Sequence, residues 1–235
     1  MITIYGKNSI AEALKAHSPI STLYVLDEEI KKDNSLKFLI DKTGYKYELL
    51  SKKEMDKIVK ANHQGYIAKR EDYTIYEASD IDKFVKEKGR IVILDGIQDP
   101  HNLGAILRSV DAFGYDLVVL PKNRSTSVNE TVAHTSTGAI EHVNIMYVNS
   151  LNNFIENLKK KGYWICGTDA KGTVLAEDID NSLSLAVIIG SEGFGMSKTL
   201  VKESDYLISI PMVGHVNSLN ASVSAGIVLK DLMRK

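Results

Sequence analysis

The sequence is poor in several residue types, and each shortage excludes a class of protein. Cys166 is the only cysteine among 235 residues, so neither an intrachain disulfide nor a cysteine-cluster metal site can form. No apolar run approaches the roughly 18 residues of a membrane-spanning helix, and the first residues lack the order of a signal peptide. A cytoplasmic protein that makes no contact with a membrane is therefore expected.

The chain has almost equal numbers of positive and negative residues. It contains 29 Lys and Arg and 30 Asp and Glu, which gives a net charge of −1. Proteins that bind nucleic acids usually present a basic surface to the phosphates. Any such surface must here come from local arrangement. Four of the histidines lack the spacing of metal ligands, and no metal site is predicted; they are His17, His63, His134 and His142.

The first third of the chain has the pattern of a small α/β domain. Helical patterns at 10–16, 35–43 and 51–61 alternate with strand patterns at 22–26, 45–49 and 65–68. Gly44 is a typical helix stop, and Ser51 with Glu54 forms a capping box. A polar stretch and a short helix that ends before Gly89 follow. We therefore predict a domain at residues 1–72, a linker at 73–88 and a second domain at 89–235.

The second domain has a more regular pattern of short apolar strands with helices between most of them. The predicted strands are 91–94, 117–120, 143–148, 164–167, 185–189 and 206–210, and the predicted helices are 103–113, 129–135, 151–161 and a last one from about 219 to 234. Alternating helices and apolar strands indicate a mostly parallel sheet covered on both faces. The predicted fold class is therefore α/β.

Three polar segments follow predicted strands, where open α/β sheets bind ligands. In the first, a helix begins near Asn102, which could cap it, and Arg108 can share a side of that helix with Gly104 and Ala105. The small residues would let Arg108 lie close to a ligand or another backbone. Taken alone, the same residues are more typical of an ordinary cap and a surface arginine than of a ligand site.

The second segment, residues 190–195, is a glycine loop of the form G-x-x-G-x-G. A dinucleotide loop has the order G-x-G-x-x-G, and a P-loop continues into Gly-Lys-Ser/Thr, so neither is indicated. Glu192 within the loop would repel a phosphate. The phosphate-free S-adenosylmethionine, with its adenosine, sulfonium and amino acid, suits the loop better. The alternative is a tight turn with a solvated glutamate.

The third segment begins where a strand stops at Pro211 and ends in a helix from about Leu219. Free backbone N–H groups at that helix start can bind a ligand, and Ser218 and Asn220 can cap it. Small residues at 221–226 would let another part of the chain or a second subunit pack closely.

Together the three segments resemble, in order, the sequence motifs of the SpoU/TrmH branch of the SPOUT methyltransferases. The matching pieces are N-L-G-A-I-L-R at 102–108, I-I-G-S-E-G-F-G-M at 188–196, and I-S-I-P-M with S-L-N-A-S-V-S-A-G within 208–226. Residues 4–14 and 63–65 also resemble the substrate-binding domain of the RlmB-like subgroup, which methylates guanosine in 23S ribosomal RNA. The resemblance covers nearly the whole chain.

The resemblance implies a fold, an activity and partners. The fold would be a SPOUT-type, mostly parallel sheet with a C-terminal trefoil knot, preceded by a small L30e-like domain that binds the RNA. The activity would be methyl transfer from S-adenosylmethionine to a ribose 2′-hydroxyl in 23S ribosomal RNA. The protein would work as a homodimer.

The resemblance also assigns residues to the site. The positions that match the cofactor-binding ones are Gly190, Ile210, Leu219, Thr168, Gly195 and Met212. The positions that match the catalytic ones are Arg108, Asn102, Glu192, Ser218 and Asn220. Arg108 matches the residue that activates the hydroxyl. Because a guanidinium stays protonated, we expect it to stabilise the developing alkoxide rather than to act as a base.

Three alternatives remain open from the sequence. The same chemistry could act on transfer RNA, or on ribosomal RNA at another site as in antibiotic resistance. A non-catalytic RNA-binding module is the alternative from another class of protein. The extra N-terminal domain favours ribosomal RNA by analogy only, and the polar residues retained at the matched positions favour an enzyme.

Overall fold

A computed structural model of the chain describes residues 1–233. The chain divides into two compact units. Unit 1 comprises Met1–Tyr73 with Val128–His142, and unit 2 comprises Thr74–Ser127 with the described part of Val143–Lys235. None of the helices in residues 1–233 combines the length and the apolar character needed to cross a membrane.

The regular elements alternate along most of the chain. The strands are β1 (Ile2–Tyr5), β2 (Ile20–Leu26), β3 (Glu48–Leu50), β4 (Tyr66–Arg70), β5 (Ile75–Glu77), β6 (Arg90–Asp95), β7 (Leu117–Pro121), β8 (Ile145–Val148), β9 (Tyr163–Thr168), β10 (Ser184–Gly190) and β11 (Tyr206–Ile208). The helices are α1 (Lys7–Lys15), α2 (Asp27–Lys32), α3 (Asn34–Thr43), α4 (Lys52–Ile58), α5 (Pro100–Ala112), α6 (Glu130–Thr135), α7 (Leu151–Lys160), α8 (Lys198–Glu203) and α9 (Ala221–Asp231).

Unit 1 is built on a four-stranded sheet in the order β1-β4-β2-β3, in which only the β2–β3 pair is parallel. Its core joins Ile10 and Leu14 of α1 to Ile40 of α3. The predicted capping box is present, because Glu54 Oε2 accepts the backbone N–H of Ser51 at 2.9 Å. The predicted helix stop is also present, since Gly44 is left-handed at φ 75°.

Residues 128–142 belong to unit 1, although the sequence pattern predicts them to lie in the second domain. Their Glu141 is buried and forms an ion pair with the buried Arg70 of β4. Glu141 also accepts hydrogen bonds from Ser18 and Tyr73. These partners are far apart in sequence, so no local pattern along 128–142 could indicate them.

Unit 2 contains a seven-stranded sheet in the order β11-β9-β10-β6-β7-β8-β5. Every pairing in it is parallel, which confirms the predicted α/β class. Ile91 and Ile93 of β6 lie in the cluster that α7 covers, and the intervening Val92 is equally buried on the opposite face. Burial on both faces explains why these strands are apolar throughout. The trefoil knot stays a prediction.

Two boundaries differ from those predicted. Within the predicted linker, β5 pairs with β8, whereas the 3-10 helix Ala78–Lys83 agrees with the short helix predicted before Gly89. Helix α5 begins at Pro100 with Asp99 as its N-cap, so Asn102 lies inside the first turn and is not the cap. Proline is favoured at a first helical position because its missing N–H has no helical partner there. The predicted end of the last helix at Arg234 lies outside the described residues.

Two buried polar or sulfur-containing side chains lie at the sheet of unit 2. Arg90 at the start of β6 donates hydrogen bonds to the carbonyls of Leu183, Asn181 and Leu232, and thereby holds the C-terminal end of α9. Cys166 of β9 is fully buried. Burial raises the pKa of the Cys166 thiol to about 12, with a further contribution from Asp205, so the thiol stays protonated.

Candidate functional site

Two neighbouring cavities lie in unit 2. Cavity A has a volume of about 490 Å³ and cavity B one of about 580 Å³. Both are bounded by loops that follow the carboxyl ends of parallel strands, the position where α/β sheets bind ligands. The glycine loop after β10 lines both of them, so the two cavities share this loop as a border.

Cavity A contains all six candidate cofactor residues. Its lining includes Thr168, Gly190, Gly195, Ile210, Met212 and Leu219. Thr168 ends β9, Gly190 ends β10, and the last three belong to the loop between β11 and α9. The Thr168 hydroxyl donates to the carbonyl of Ile188 at 2.9 Å, which ties the ends of β9 and β10 together. The structure thus brings these six positions to one space, and their role as ligands stays a prediction.

The glycine loop is a tight, internally braced turn. Ser191 and Gly195 exchange two backbone hydrogen bonds of 3.1 and 2.9 Å. Gly193 and Gly195 have φ angles of 85° and 66°, which side chains other than glycine rarely adopt. A Cβ on Gly190 would lie 2.3 Å from the carbonyl carbon of Gly195. The backbone of this loop therefore requires glycine at positions 190, 193 and 195, whatever ligand the loop binds.

The candidate catalytic residues are only partly brought together. Asn220 is the N-cap of α9, and its amide donates to Asn102 Oδ1 at 3.0 Å and to Glu192 Oε2 at 3.1 Å. Ser218 and Glu192 line cavity A, and Asn102 and Glu192 line cavity B. The first, second and third motifs therefore meet at one side-chain amide.

Arg108 is the exception among the candidate catalytic residues, since Asn220, which also lines neither cavity, is hydrogen-bonded to Asn102 and Glu192. Arg108 lies exposed on α5 and lines neither cavity A nor cavity B. Helix α5 packs against α9, and a Cβ on Gly226 of α9 would lie 3.5 Å from the hydroxyl of Ser109. The small residues that the sequence shows at 221–226 thus accommodate α5. Within one chain, Arg108 stands outside the two spaces.

Cavity B contains charged residues that lie outside the three sequence motifs. Asp95 ends β6 and accepts the backbone N–H of Ser197 at 2.7 Å. Arg124 follows β7, and Lys198 begins α8. Arg124 could have been found from its position just after a predicted strand, whereas nothing local distinguishes Lys198. Among residues 1–233, no group of three His, Cys, Asp or Glu side chains is placed to hold a metal ion.

A parallel α/β sheet with a cavity of this size beside a glycine loop is typical of α/β enzymes that bind a small molecule. The model of the SpoU rRNA Methylase family matches residues 89–230, and that of the RNA 2′-O ribose methyltransferase substrate binding family matches residues 3–76. The chain belongs to the SpoU/TrmH family of RNA 2′-O-ribose methyltransferases. The predicted family and enzyme class are therefore confirmed.

Individual relatives agree with this membership. A Staphylococcus aureus (strain MSSA476) protein assigned to the TrmH family of tRNA/rRNA methyltransferases is 41% identical over 99% of this chain and 95% of its own. The SpoU methyltransferase AviRb from Streptomyces viridochromogenes, solved in complex with the cofactor AdoMet, has a TM-score of 0.80 at 24% identity, over 98% of this chain and 88% of its own. An rRNA methyltransferase from Sinorhizobium meliloti has a TM-score of 0.75 at 25% identity, over 98% and 86%. The likeness to AviRb shows the fold.

Proposed function

We propose that this protein transfers a methyl group from S-adenosylmethionine to the ribose 2′-hydroxyl of a guanosine in 23S ribosomal RNA, as a cytoplasmic homodimer. The observation that carries the proposal is the convergence of six family-matched positions from three strand ends on cavity A. If these six residues only shaped their own turns, we would not expect all of them to line the same cavity.

Cavity A has the chemistry that this cofactor requires. Its volume of about 490 Å³ falls within the range of small-molecule sites. The loop at its mouth carries the carboxylate of Glu192, which would attract the positive sulfonium and ammonium groups. When bound, S-adenosylmethionine supplies an electrophilic methyl group on sulfur. The chain's own residues then have to orient the acceptor hydroxyl and stabilise its oxygen as the proton leaves.

The polar cluster around Asn220 is suited to the positioning part of this task. Asn220 holds Asn102 and Glu192 in fixed places, with Ser218 nearby on the same loop. We assign the stabilisation of the developing alkoxide to Arg108. Because Arg108 lines neither cavity of a single chain, this role requires an arrangement that one chain alone does not provide.

A second copy of the chain would supply that arrangement. Helix α9 exposes the apolar side chains of Val223 and Ile227, and the loop before it exposes Val213 and Val216. Exposed apolar side chains of this kind are typical of a subunit interface. Packing of two copies along α9 would also bring the adjacent α5, with its Arg108, to the interface.

The N-terminal residues 1–72 are assigned to RNA recruitment and residues 89–235, apart from the segment 128–142 that belongs to unit 1, to methyl transfer; the predicted linker 73–88 connects them and contributes β5 to the sheet of unit 2. The substrate-binding family match over residues 3–76 supports the first assignment. The likeness to the Sinorhizobium rRNA methyltransferase extends over both units, which favours ribosomal over transfer RNA.

Mapping of 2′-O-methyl groups in cellular RNA with and without this protein tests the proposal. In primer extension at low nucleotide concentration, one stop on 23S RNA should disappear in the deletion strain. Persistence of every 23S stop would reject the ribosomal substrate, and a lost methyl group on transfer RNA would establish the alternative. Calorimetry with S-adenosylmethionine addresses the non-catalytic alternative, for which no heat of binding is expected.

A further inference from the structure

The side chain of Phe194 is held in solvent at the boundary between cavities A and B. It is 94% exposed and lines both cavities. The turn that carries it is braced by the paired Ser191 and Gly195 hydrogen bonds, so the ring is presented by a defined backbone. Covering an exposed phenylalanine ring removes apolar surface from water and is therefore favourable. Nucleobases stack on exposed aromatic rings of this kind.

Cavity B, which this ring lines, is also lined by two cationic side chains. Arg124 and Lys198 line it, and within residues 1–233 neither side chain makes a hydrogen bond or an ion pair. The Arg124 loop is fixed, because the N–H of Thr126 donates to the carbonyl of Ile97 at 3.0 Å and the Tyr147 hydroxyl donates to the Thr126 carbonyl at 2.8 Å. The two cations are therefore available to an anionic ligand.

The acidic residues of cavity B have partners inside the protein. Asp95 accepts the N–H of Ser197, Asp99 accepts the N–H of His101 at 2.9 Å, and Glu192 accepts the amide of Asn220. The cavity thus combines an exposed aromatic ring, two cations that have no partner within residues 1–233, and carboxylates that already accept hydrogen bonds. A nucleotide, which has a flat base and negative phosphates, matches this combination.

We propose that the acceptor nucleotide occupies cavity B, with its base stacked on Phe194 and its flanking phosphates against Arg124 and Lys198. The inference rests on the proposed function, since it assigns the second substrate of the same site. Glu192 and the glycine loop border both cavities, so a ribose in cavity B lies beside a ligand in cavity A. Phe194 is then a positioning group for the reaction rather than part of the cofactor site.

The test compares Phe194→Ala, Phe194→Leu and Phe194→Tyr with the unsubstituted protein. Transfer of labelled methyl groups from S-adenosylmethionine to total RNA from cells that lack the protein gives kcat/KM, and calorimetry gives the Kd for S-adenosylmethionine. We expect kcat/KM to fall about tenfold or more in the Ala and Leu variants, the size of a lost base–aromatic stack. The Tyr variant, which keeps the ring, should retain activity, and the Kd should not change.

The cations are tested by Arg124→Gln and Lys198→Gln, which should raise the KM for RNA and flatten its dependence on salt. Because all three side chains are exposed, the thermal midpoint of every variant should match that of the unsubstituted protein. Full activity of Phe194→Leu would overturn stacking, and a weakened Kd with an unchanged KM for RNA would place the ring on the cofactor. No transfer by the unsubstituted protein would overturn the proposed function itself and, with it, the assignment of cavity B.

Discussion

The side-chain amide of Asn220 donates a hydrogen bond to Oδ1 of Asn102, 3.0 Å away and 118 residues distant in sequence. The same amide reaches Glu192 Oε2 at 3.1 Å, while its oxygen accepts the N–H of Ser222 and caps α9. One side chain thus starts a helix and joins α5 to the glycine loop. Replacing Asn220 should therefore show whether the loss of methyl transfer exceeds what the loss of stability explains.

Asn220→Ala should lower the free energy of unfolding by about 1 kcal/mol, the usual value of a lost cap. It should lower methyl transfer far more, because Asn102 and Glu192 lose their common partner. The matched control is Ser150→Ala, which removes the cap of α7, where Ser150 accepts the N–H of Asn153. Thermal unfolding and kcat/KM check both variants. Equal losses of activity would contradict a specific role of Asn220.

Gly190→Ala should abolish binding of S-adenosylmethionine in calorimetry. The new Cβ would lie 2.3 Å from the carbonyl carbon of Gly195 and 2.4 Å from the nitrogen of Met196, so the loop would have to open. Gly162→Ala is the control, since Gly162 has φ 83° but nothing within 4 Å of its added Cβ. That variant should cost about 1–2 kcal/mol of backbone strain and keep the affinity. Retained binding by Gly190→Ala would argue against cavity A as the cofactor site.

Arg108→Ala should keep the affinity for S-adenosylmethionine and lose methyl transfer by about 100-fold, the effect of removing one group that stabilises an oxyanion. The affinity should survive because Arg108 does not line cavity A. Arg108→Lys, which keeps the charge but not the planar guanidinium, should recover only part of the activity. Single-turnover rates with the cofactor in excess measure the effect. A fully active Ala variant would remove Arg108 from the mechanism.

Glu141→Gln should destabilise unit 1 by about 3–5 kcal/mol, because it leaves the buried Arg70 guanidinium without its counterion. Replacing both residues, as Arg70→Met with Glu141→Leu, should restore much of the loss, since no charge then stays buried. Asp27→Asn at the exposed Lys31–Asp27 pair is the control and should change little. Denaturant unfolding gives the three values. A small change in the free energy of unfolding of Glu141→Gln would show that the Arg70–Glu141 pair contributes little to stability.

Acid should weaken unit 1 through Asp33. Burial by itself would raise the pKa of Asp33, but hydrogen bonds from Lys7, Leu36 and Ser35 outweigh it and lower the pKa to about 2 from the ordinary 3.8. The stabilisation is therefore complete above about pH 4 and is lost as the pH falls through 2. In Asp33→Asn this part of the pH dependence should disappear from unfolding curves. An unchanged acid profile would exclude Asp33 as its source.

The short elements show where sequence patterns fail. Helices α2 and α8 have six residues each and β5 has three, and none of the three was predicted, because such short segments show too little of a hydrophobic period. Helix α6 is equally short but was predicted at 129–135. The start of α5 was misplaced because Asn102 and Asp99 are both good caps, and the proline at position 100 decides between them. Longer elements such as α7 were predicted to within a residue at the C-terminal end.

The sequence by itself determined the α/β class, the parallel sheet and the three motif segments, because burial on two faces and tight turns leave local marks in residue type. Only the tertiary structure decided that residues 128–142 belong to unit 1, that Asn220 joins Asn102 to Glu192, and that Arg124 and Lys198 share cavity B with Phe194. These relationships depend on which distant segments pack together. Local periodicity carries no information about such contacts, so they become visible only once the chain is folded.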